Sequence, residues 1–244
     1  FDAMFTLFQP KTTRAELNTR VFNEVAHVRV DPSELDTVLL ELRRTHPRGR
    51  SLRMEEYWPH INATALELLR PGRYDAVEAL RLGRLMHSRT LTDTDLYEVR
   101  PQMRDILEWL RAQGVIVAVA SNQHHRALTE HLRAAALDRF FGKHVYTSSR
   151  LRSPKPSKHF WRAVFHGVGA SSYGALAYVG NSVENDIDLA LRHQSPVAIL
   201  DIARRISGLA ISGVSVVHDE SELRAWCERI VGEEVATPNL AAAR

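Results

Sequence analysis

The chain has a single cysteine, Cys227, in 244 residues. No intramolecular disulfide can form from one thiol, which fits a reducing compartment, and the cytoplasm is the expected location. No run of about 18 apolar residues occurs, so a transmembrane helix and a membrane partner are not expected. Neither sign of charge is in excess, since 32 basic and 29 acidic residues leave a net +3. With the two signs interleaved, a nucleic-acid partner is not expected. The clusters Arg43-Arg44 to Arg50 and Arg150-Leu151-Arg152 read as solvated faces that could help attract an anion. The 12 histidines are scattered without metal-binding spacing, which argues against zinc. Internal repeats and low-complexity domains are missing as well. The chain opens on Phe1, and its first strand is expected to begin upstream of that residue, which leaves a signal peptide open.

What is present is ordinary globular composition, 44% apolar and 25% charged, in a length that suits one large or two small domains. Four segments carry chemistry. Phe1-Asp2-Ala3-Met4-Phe5-Thr6-Leu7 puts a carboxylate after an apolar residue at what reads as a strand end. An open α/β sheet places its chemistry at that edge, so Asp2 is a candidate nucleophile; a strand-ending Asp that caps a turn is the plainer reading. Val115 to Ala120 is a continuous apolar, β-branched run, as expected of a buried parallel strand, and it ends in Ser121-Asn122 before a helical stretch. A hydroxyl and backbone N–H groups at such a junction form an anion site. Ser153-Pro154-Lys155-Pro156 holds a lysine between two prolines ahead of a helix. Ala175 to Val179 is another strand, running into Gly180-Asn181-Ser182-Val183-Glu184-Asn185-Asp186.

In this order and spacing the four segments resemble the haloacid dehalogenase-like (HAD) hydrolase superfamily, and the resemblance spans nearly the whole chain. The family pattern is an Asp-x-Asp-x-Thr-Leu/Val loop, then Ser/Thr-Asn, then Lys-Pro, then Gly-Asp-x-x-x-x-Asp, met here by Asp2 to Leu7, Ser121-Asn122, Lys155-Pro156 and Gly180 to Asp186. The resemblance implies that Asp2 attacks the substrate to form a covalent aspartyl intermediate. It implies that Ser121, Asn122 and Lys155 bind the transferred group, with Lys155 also damping repulsion between Asp2 and an anionic substrate. It implies Mg²⁺, held by Asp2, Asp186, the main-chain carbonyl of Met4 and an oxygen of Asn181. The substrate class is a small anionic organic molecule, and the protein is expected to be a monomer or homodimer.

Three departures qualify that pattern. Met4 stands where phosphatases of the family place a second Asp as general acid and base, and a thioether cannot shuttle a proton; losing such a group typically costs about 10²–10⁴-fold. Phe5 replaces the usual Gly. Asn181 replaces the first Asp of the fourth motif and removes one negative charge, which should weaken Mg²⁺ binding. Three readings follow. The leading expectation is a Mg²⁺-dependent phosphatase with an atypical site, acting on a small organic phosphate monoester; the alternatives are a metal-free 2-haloacid dehalogenase type of enzyme and a catalytically degenerate binding or scaffold module. The dehalogenase branch is similar to Phe-Asp-Ala-x-x-Thr-Leu, needs no acid because halide leaves unprotonated, and uses a cap arginine, for which Arg14, Arg20 and Arg29 are available.

The expected fold is α/β: a Rossmann-like parallel sheet flanked by helices, with an inserted all-helical, four-helix cap. The core is read as 1–10 and 91–234, the cap as 11–90, and 235–244 as a disordered tail. Within the cap, Leu17, Val21, Phe22 and Val25 share a helical face, as do Leu35, Val38, Leu39 and Leu42. Pro32-Ser33 and Pro47-Arg48-Gly49 punctuate these helices. A third helix is built on Tyr57, Ile61, Leu66 and Leu69, and a fourth runs from about Tyr74 to His87. Such a cap would close over Asp2 and exclude water. Strands near Val145-Tyr146, at Pro196 to Leu200 and at Val214 to Val217 alternate with helices at Leu128 to Ala136, Ile187 to Leu191 and Leu223 to Ile230. His124-His125 could stand in for the missing proton carrier or simply face solvent at a helix start. Trp58 and His60 could line a pocket or pack the cap, Glu184 reads as solvent-facing, Asn185 as a loop-holding residue, and Cys227 as packing.

Overall fold

A computed structural model describes residues 1–46 and 54–236. The expected break at Pro47-Arg48-Gly49 lies outside the described residues, as does all of the expected tail beyond residue 236. The chain divides into two compact units, Phe1–Gln9 with residues from Glu98 onward, and Pro10–Tyr97. A short pair of hydrogen-bonded strands, β1 (Phe8–Pro10) and β2 (Tyr97–Val99), marks the two crossings between units. Neither strand has enough apolar sequence to be read in advance.

The unit from Pro10 to Tyr97 holds four helices, α1 (Arg14–Ala26), α2 (Pro32–Thr45), α3 (Met54–Leu69) and α4 (Ala76–Thr92). Their starts are written in side chains. Thr13 and Glu16 form a reciprocal capping box on α1, Asp31 caps α2 with Pro32 behind it, and the Asp75 carboxylate accepts from the Glu78 N–H on α4. The apolar stripes are buried as their spacing requires: Leu17, Val21 and Phe22 on α1, Leu35, Leu39 and Leu42 on α2. Helix α4 runs five residues past the expected His87, to Thr92, where the Asp93 N–H still reaches the Arg89 carbonyl. Helices α3 and α4 approach so closely at Gly83 that a Cβ there would lie 2.2 Å from the Pro59 carbonyl oxygen. Trp58 packs inside this unit, edge-on to Tyr57 and beneath the Arg43 guanidinium, whereas His60 is exposed.

The other unit is the α/β layer: α5 (Met103–Ala112), β3 (Val119–Ser121), α6 (His125–Ala134), α7 (Asp138–Phe141), β4 (Val145–Thr147), α8 (Ser148–Leu151), α9 (Lys158–Val168), β5 (Tyr178–Gly180), α10 (Val183–Asp186), α11 (Asp188–His193), β6 (Val197–Leu200), β7 (Val214–Val217) and α12 (Glu220–Ala236). Strand β3 pairs in parallel with β4, and β5, β6 and β7 pair in parallel with one another. The segment Phe1–Ala3 joins the two groups. The Phe1 nitrogen donates to the Ala118 carbonyl, the Phe1 carbonyl accepts from Ala120 N–H, and Asp2 N–H donates to the Val179 carbonyl. One residue bonding to both neighbours of its partner is the parallel pattern. The resulting order is β4-β3-(Phe1–Ala3)-β5-β6-β7, so the chain builds outward on one side of the first segment and then on the other. An open α/β sheet binds its ligand where that order reverses, and here this is the carboxyl end of the segment that carries Asp2.

Helix α9 covers the sheet with Phe160, Trp161 and Val164, which join Ala120, Tyr178, Val197 and Ile199 in one buried cluster. Each such side chain contributes about 1.5–3 kcal/mol when fully buried. Helix α12 packs against β6, β7 and α5 and carries the buried Cys227, whose thiol is pushed up to about 12, by burial first. Several expectations need correction. The run Val115–Ala120 is not a continuous buried strand: β3 starts at Val119, and Ile116 is 60% exposed while Val117 and Val119 are buried. The expected helix at Ile187 to Leu191 is α11, and an unexpected short helix, α10, precedes it. Helix α12 extends through Val235 and Ala236, the first two residues of the expected tail.

Candidate active site

The site is assembled from strand ends and one loop. Asp2 lies on the central segment, Ser121 ends β3, Gly180 ends β5, and Lys155 comes from the loop between α8 and α9. Asn122 locks that loop in place: its carboxamide oxygen accepts from Lys155 N–H at 2.7 Å, and its amide nitrogen donates to the Lys155 carbonyl at 3.3 Å. Ser148 Oγ donates to the Asn122 carbonyl in turn. Ser157 caps α9 just beyond, so the lysine is held from both sides.

The Lys155 side chain is 3% exposed. Its ammonium donates to Asp2 Oδ1 at 2.7 Å, to Tyr178 Oη at 2.7 Å and to Asp186 Oδ1 at 2.8 Å. The Tyr178 hydroxyl has its own proton to place, and the Ala120 carbonyl at 3.0 Å and Asp186 Oδ1 at 3.2 Å are within reach. The second oxygen of Asp186 accepts from the backbone N–H groups of Asn181 and Ser182 at 3.1 and 3.0 Å. Burial pushes the Asp2 carboxyl upward, with the Lys155 ammonium opposing the shift and Asp186 adding to it. Burial alone would lower Lys155, but Asp2 and then Asp186 raise it above its ordinary value, so the ammonium stays charged. Tyr178 is held well above an ordinary phenol, by burial first and then by Asp186 and Asp2, and stays neutral.

Gly180 is required by Asp186. A Cβ at position 180 would lie 2.3 Å from Asp186 Oδ2 and 2.6 Å from Asp186 Cβ, too close for the carboxylate to remain. Gly180→Ala is therefore expected to destabilise the protein by about 1–3 kcal/mol, the usual cost of overpacking. It should also remove whatever activity depends on Asp186. Urea unfolding followed on the purified variant checks the first expectation, and a midpoint equal to wild type would contradict it.

The loop after Asp2 is tight. The N–H groups of Thr6, Leu7 and Phe8 all point to the Ala3 carbonyl. Phe5 sits at φ 62°, in the left-handed region that favours glycine, with Arg100 Nε donating to its carbonyl at 3.2 Å. The unusual Phe is thus held in a glycine-like conformation rather than reshaping the loop.

The structure brings Asp2, Lys155 and Asp186 into hydrogen-bond contact. Ser121 is buried on the adjacent strand, where its Oγ accepts from Gln123 N–H at 3.4 Å. Asn122 was expected to bind substrate, but its carboxamide is used on the Lys155 main chain. Lys155, expected to bind the transferred group, directs its three protons to Asp2, Asp186 and Tyr178. Tyr178 was missed, having been read only as a strand residue. His124 is exposed. His125 opens α6 with its N–H on Ser149 Oγ, and its imidazolium is disfavoured by burial first, then by Arg150 and His124. Glu184 is exposed, and the Asn185 side chain donates to Ser182 Oγ, holding the loop as expected.

Of the four expected Mg²⁺ ligands, two are carboxylates, Asp2 and Asp186. Both Asp186 oxygens accept hydrogen bonds, Asn181 is neutral, and Met4 can offer only its carbonyl. Asp2 faces the Lys155 ammonium. Among the described residues no group of three His, Cys, Asp or Glu could hold a metal ion.

A family model described as haloacid dehalogenase-like hydrolase matches residues 12–193, and the chain belongs to that family. No curated protein matches the sequence. Among solved structures, the chain is similar to the HAD-hydrolase YfnB from Bacillus subtilis bound to magnesium, at TM-score 0.72 and 18% identity over 93% of this chain and 96% of that one. It is similar to a 2-haloacid dehalogenase from Pseudomonas syringae pv. Tomato DC3000, at TM-score 0.58 and 18% identity over 94% and 99%. A HAD family hydrolase from Deinococcus radiodurans R1 with bound phosphate and sodium matches at TM-score 0.59 and 18% identity over 94% and 96%. At these identities the likeness establishes the fold. Among the described residues no helix is long and apolar enough to cross a membrane.

Proposed function

We propose that the protein is a metal-independent hydrolase of small anionic organic molecules, using Asp2 as nucleophile on a carbon whose leaving group departs without a proton, as in 2-haloacids. The observation that carries this reading is the pairing of Asp2 with the buried ammonium of Lys155 at 2.7 Å, with Met4 and not a carboxylate two residues after Asp2. Lys155 opposes the effect of burial on the Asp2 carboxylate and fixes one of its oxygens, leaving the other to attack. That attack forms a C–O ester bond as the carbon–halogen bond breaks and halide leaves. Water then cleaves the ester at the Asp2 carbonyl carbon, returning the carboxylate and releasing a hydroxy acid and a proton. Met4 is compatible with this route, because halide needs no general acid.

The four-helix unit between the two crossings acts in this reading as the substrate-selecting cap. Of the three arginines open for that role, Arg20 is paired with Glu24 at 3.0 Å. A second reading is a phosphatase whose Mg²⁺ arrives with the substrate, since Mg²⁺ is commonly held by one or two carboxylates plus phosphate oxygens. The half-buried carboxamide of Asn181, beside Asp186, would add one oxygen ligand in that reading.

The test is halide release from 2-chloropropionate alongside phosphate release from a panel of phosphate monoesters, each with EDTA and with Mg²⁺. Halide release indifferent to EDTA is expected. Phosphate release that requires Mg²⁺ would replace this reading with the second, and silence in both would leave a binding module.

A further inference from the structure

An ammonium has three protons, and each one on Lys155 points to an acceptor of this chain: Asp2, Asp186 and Tyr178. The two carboxylates are expected partners for a buried lysine. The phenol is not, because a strand residue at this position needs only to be apolar to fill the core. Its ring does fill the core, edge-on to Trp161 with centroids 4.9 Å apart, and its hydroxyl is placed separately by the Ala120 carbonyl. We propose that Tyr178 is a positioning residue that takes the third proton of Lys155, so that Lys155 acts as a fixed counter-charge to Asp2 and donates to no substrate atom.

The geometry supports this in two ways. A substrate oxygen could receive a Lys155 proton only by displacing a charge-assisted hydrogen bond of 2.7–2.8 Å in a buried site, where such bonds are strong. With all three bonds made, the ammonium is tethered in three directions and cannot swing away from Asp2. The anionic group of the substrate must then be bound by other donors. The catalytic half of this inference rests on Asp2 being the nucleophile; the tethering of Lys155 does not.

The composition makes a direct test possible. The chain has only four lysines, Lys11, Lys143, Lys155 and Lys158, and all but Lys155 are exposed. In protein labelled with ¹⁵N-lysine, one side-chain ammonium signal should exchange slowly with water, and it should persist when Lys11, Lys143 and Lys158 are all changed to arginine. In Tyr178→Phe its exchange is expected to speed up at least about tenfold, in line with loss of one hydrogen bond to a charged group. Trp161→Phe, which alters packing on the same ring without removing the hydroxyl, should leave the rate unchanged. No slowly exchanging ammonium in the wild type, or an unchanged rate in Tyr178→Phe, overturns the proposal.

Should Tyr178→Phe fail to fold, replacing all six tyrosines with 3-fluorotyrosine keeps the side chains in place while weakening the hydroxyl as an acceptor. The Lys155 signal must then shift, and an unmoved signal overturns the proposal. On any substrate the wild type turns over, Tyr178→Phe should lower kcat about tenfold with KM nearly constant, because a tether acts on the nucleophile and not on binding. A raised KM at constant kcat would show Lys155 binding substrate and sink the idea. If the wild type releases neither halide nor phosphate, the functional reading fails, while the ammonium signal still decides the role of Tyr178.

Discussion

Lys155→Met is expected to destabilise the fold by about 3–5 kcal/mol, the range seen when one partner of a buried ion pair is removed. The reason lies in what remains. Asp2 and Asp186 both direct an oxygen at the place the ammonium occupied, and both are buried. Methionine matches the lysine stem out to Cε but ends there and offers no proton, so two carboxylates and a phenol lose a shared donor together. Asp186 keeps its bonds from the Asn181 and Ser182 backbone, and Asp2 has less left to hold it. Lys155→Arg should recover little. A planar guanidinium cannot point donors in the three directions that a tetrahedral nitrogen reaches, and it needs more room than a 3%-exposed site supplies. Urea unfolding of the two variants checks this, and a loss below about 1 kcal/mol, the scale of an exposed ion pair, would contradict the buried arrangement.

Asp2, Ser121, Lys155 and Asp186 were legible in the sequence because each follows an apolar run or a proline break, and a parallel sheet gathers such ends at one edge. Chain order alone supplies that. What was not legible depends on distance across the fold. The Asn122 carboxamide was read as a substrate ligand because it follows Ser121, but its partner is a backbone 33 residues away. Tyr178 looked like one more β-forming residue, and its meaning appears only when Lys155, 23 residues earlier, lands on its hydroxyl. Asp186 carried the right chemistry as a motif, yet the hydrogen bonds it accepts from Lys155 and from the Asn181 and Ser182 backbone appear only across the fold. The unit Pro10–Tyr97 was legible as four amphipathic patterns, with Pro32-Ser33 opening the second. Its edges were not, because β1 and β2 are three-residue strands whose pairing no local pattern announces.

Asp2→Asn is expected to abolish turnover, by about 10⁴-fold or more, the scale seen when a catalytic nucleophile is removed. The fold should remain. Asparagine has the shape of aspartate, and its carboxamide oxygen can still accept the Lys155 proton that Asp2 Oδ1 accepts at 2.7 Å. The cluster of Asp2, Lys155 and Asp186 carries a net charge of −1 with Asp2 ionised and is neutral in the variant, so the substitution removes a buried charge that the single ammonium only half compensates. Stability should therefore stay within about 1.5–3 kcal/mol of wild type, the scale of one hydrogen bond to a charged group. That separates Asp2→Asn from Lys155→Met: one variant is inactive and folded, the other is both inactive and destabilised. Covalent attack has a further consequence that a merely electrostatic Asp2 would not share. In a single turnover run in H₂¹⁸O, the oxygen delivered to the product comes from the Asp2 carboxylate, and the solvent oxygen enters Asp2 when water cleaves the ester. Mass spectrometry of the peptide containing Asp2 should show one ¹⁸O, with none in the first product molecule. Label appearing in the product instead would mean that water attacks the substrate directly, and Asp2 would then be a base or a charge rather than the nucleophile.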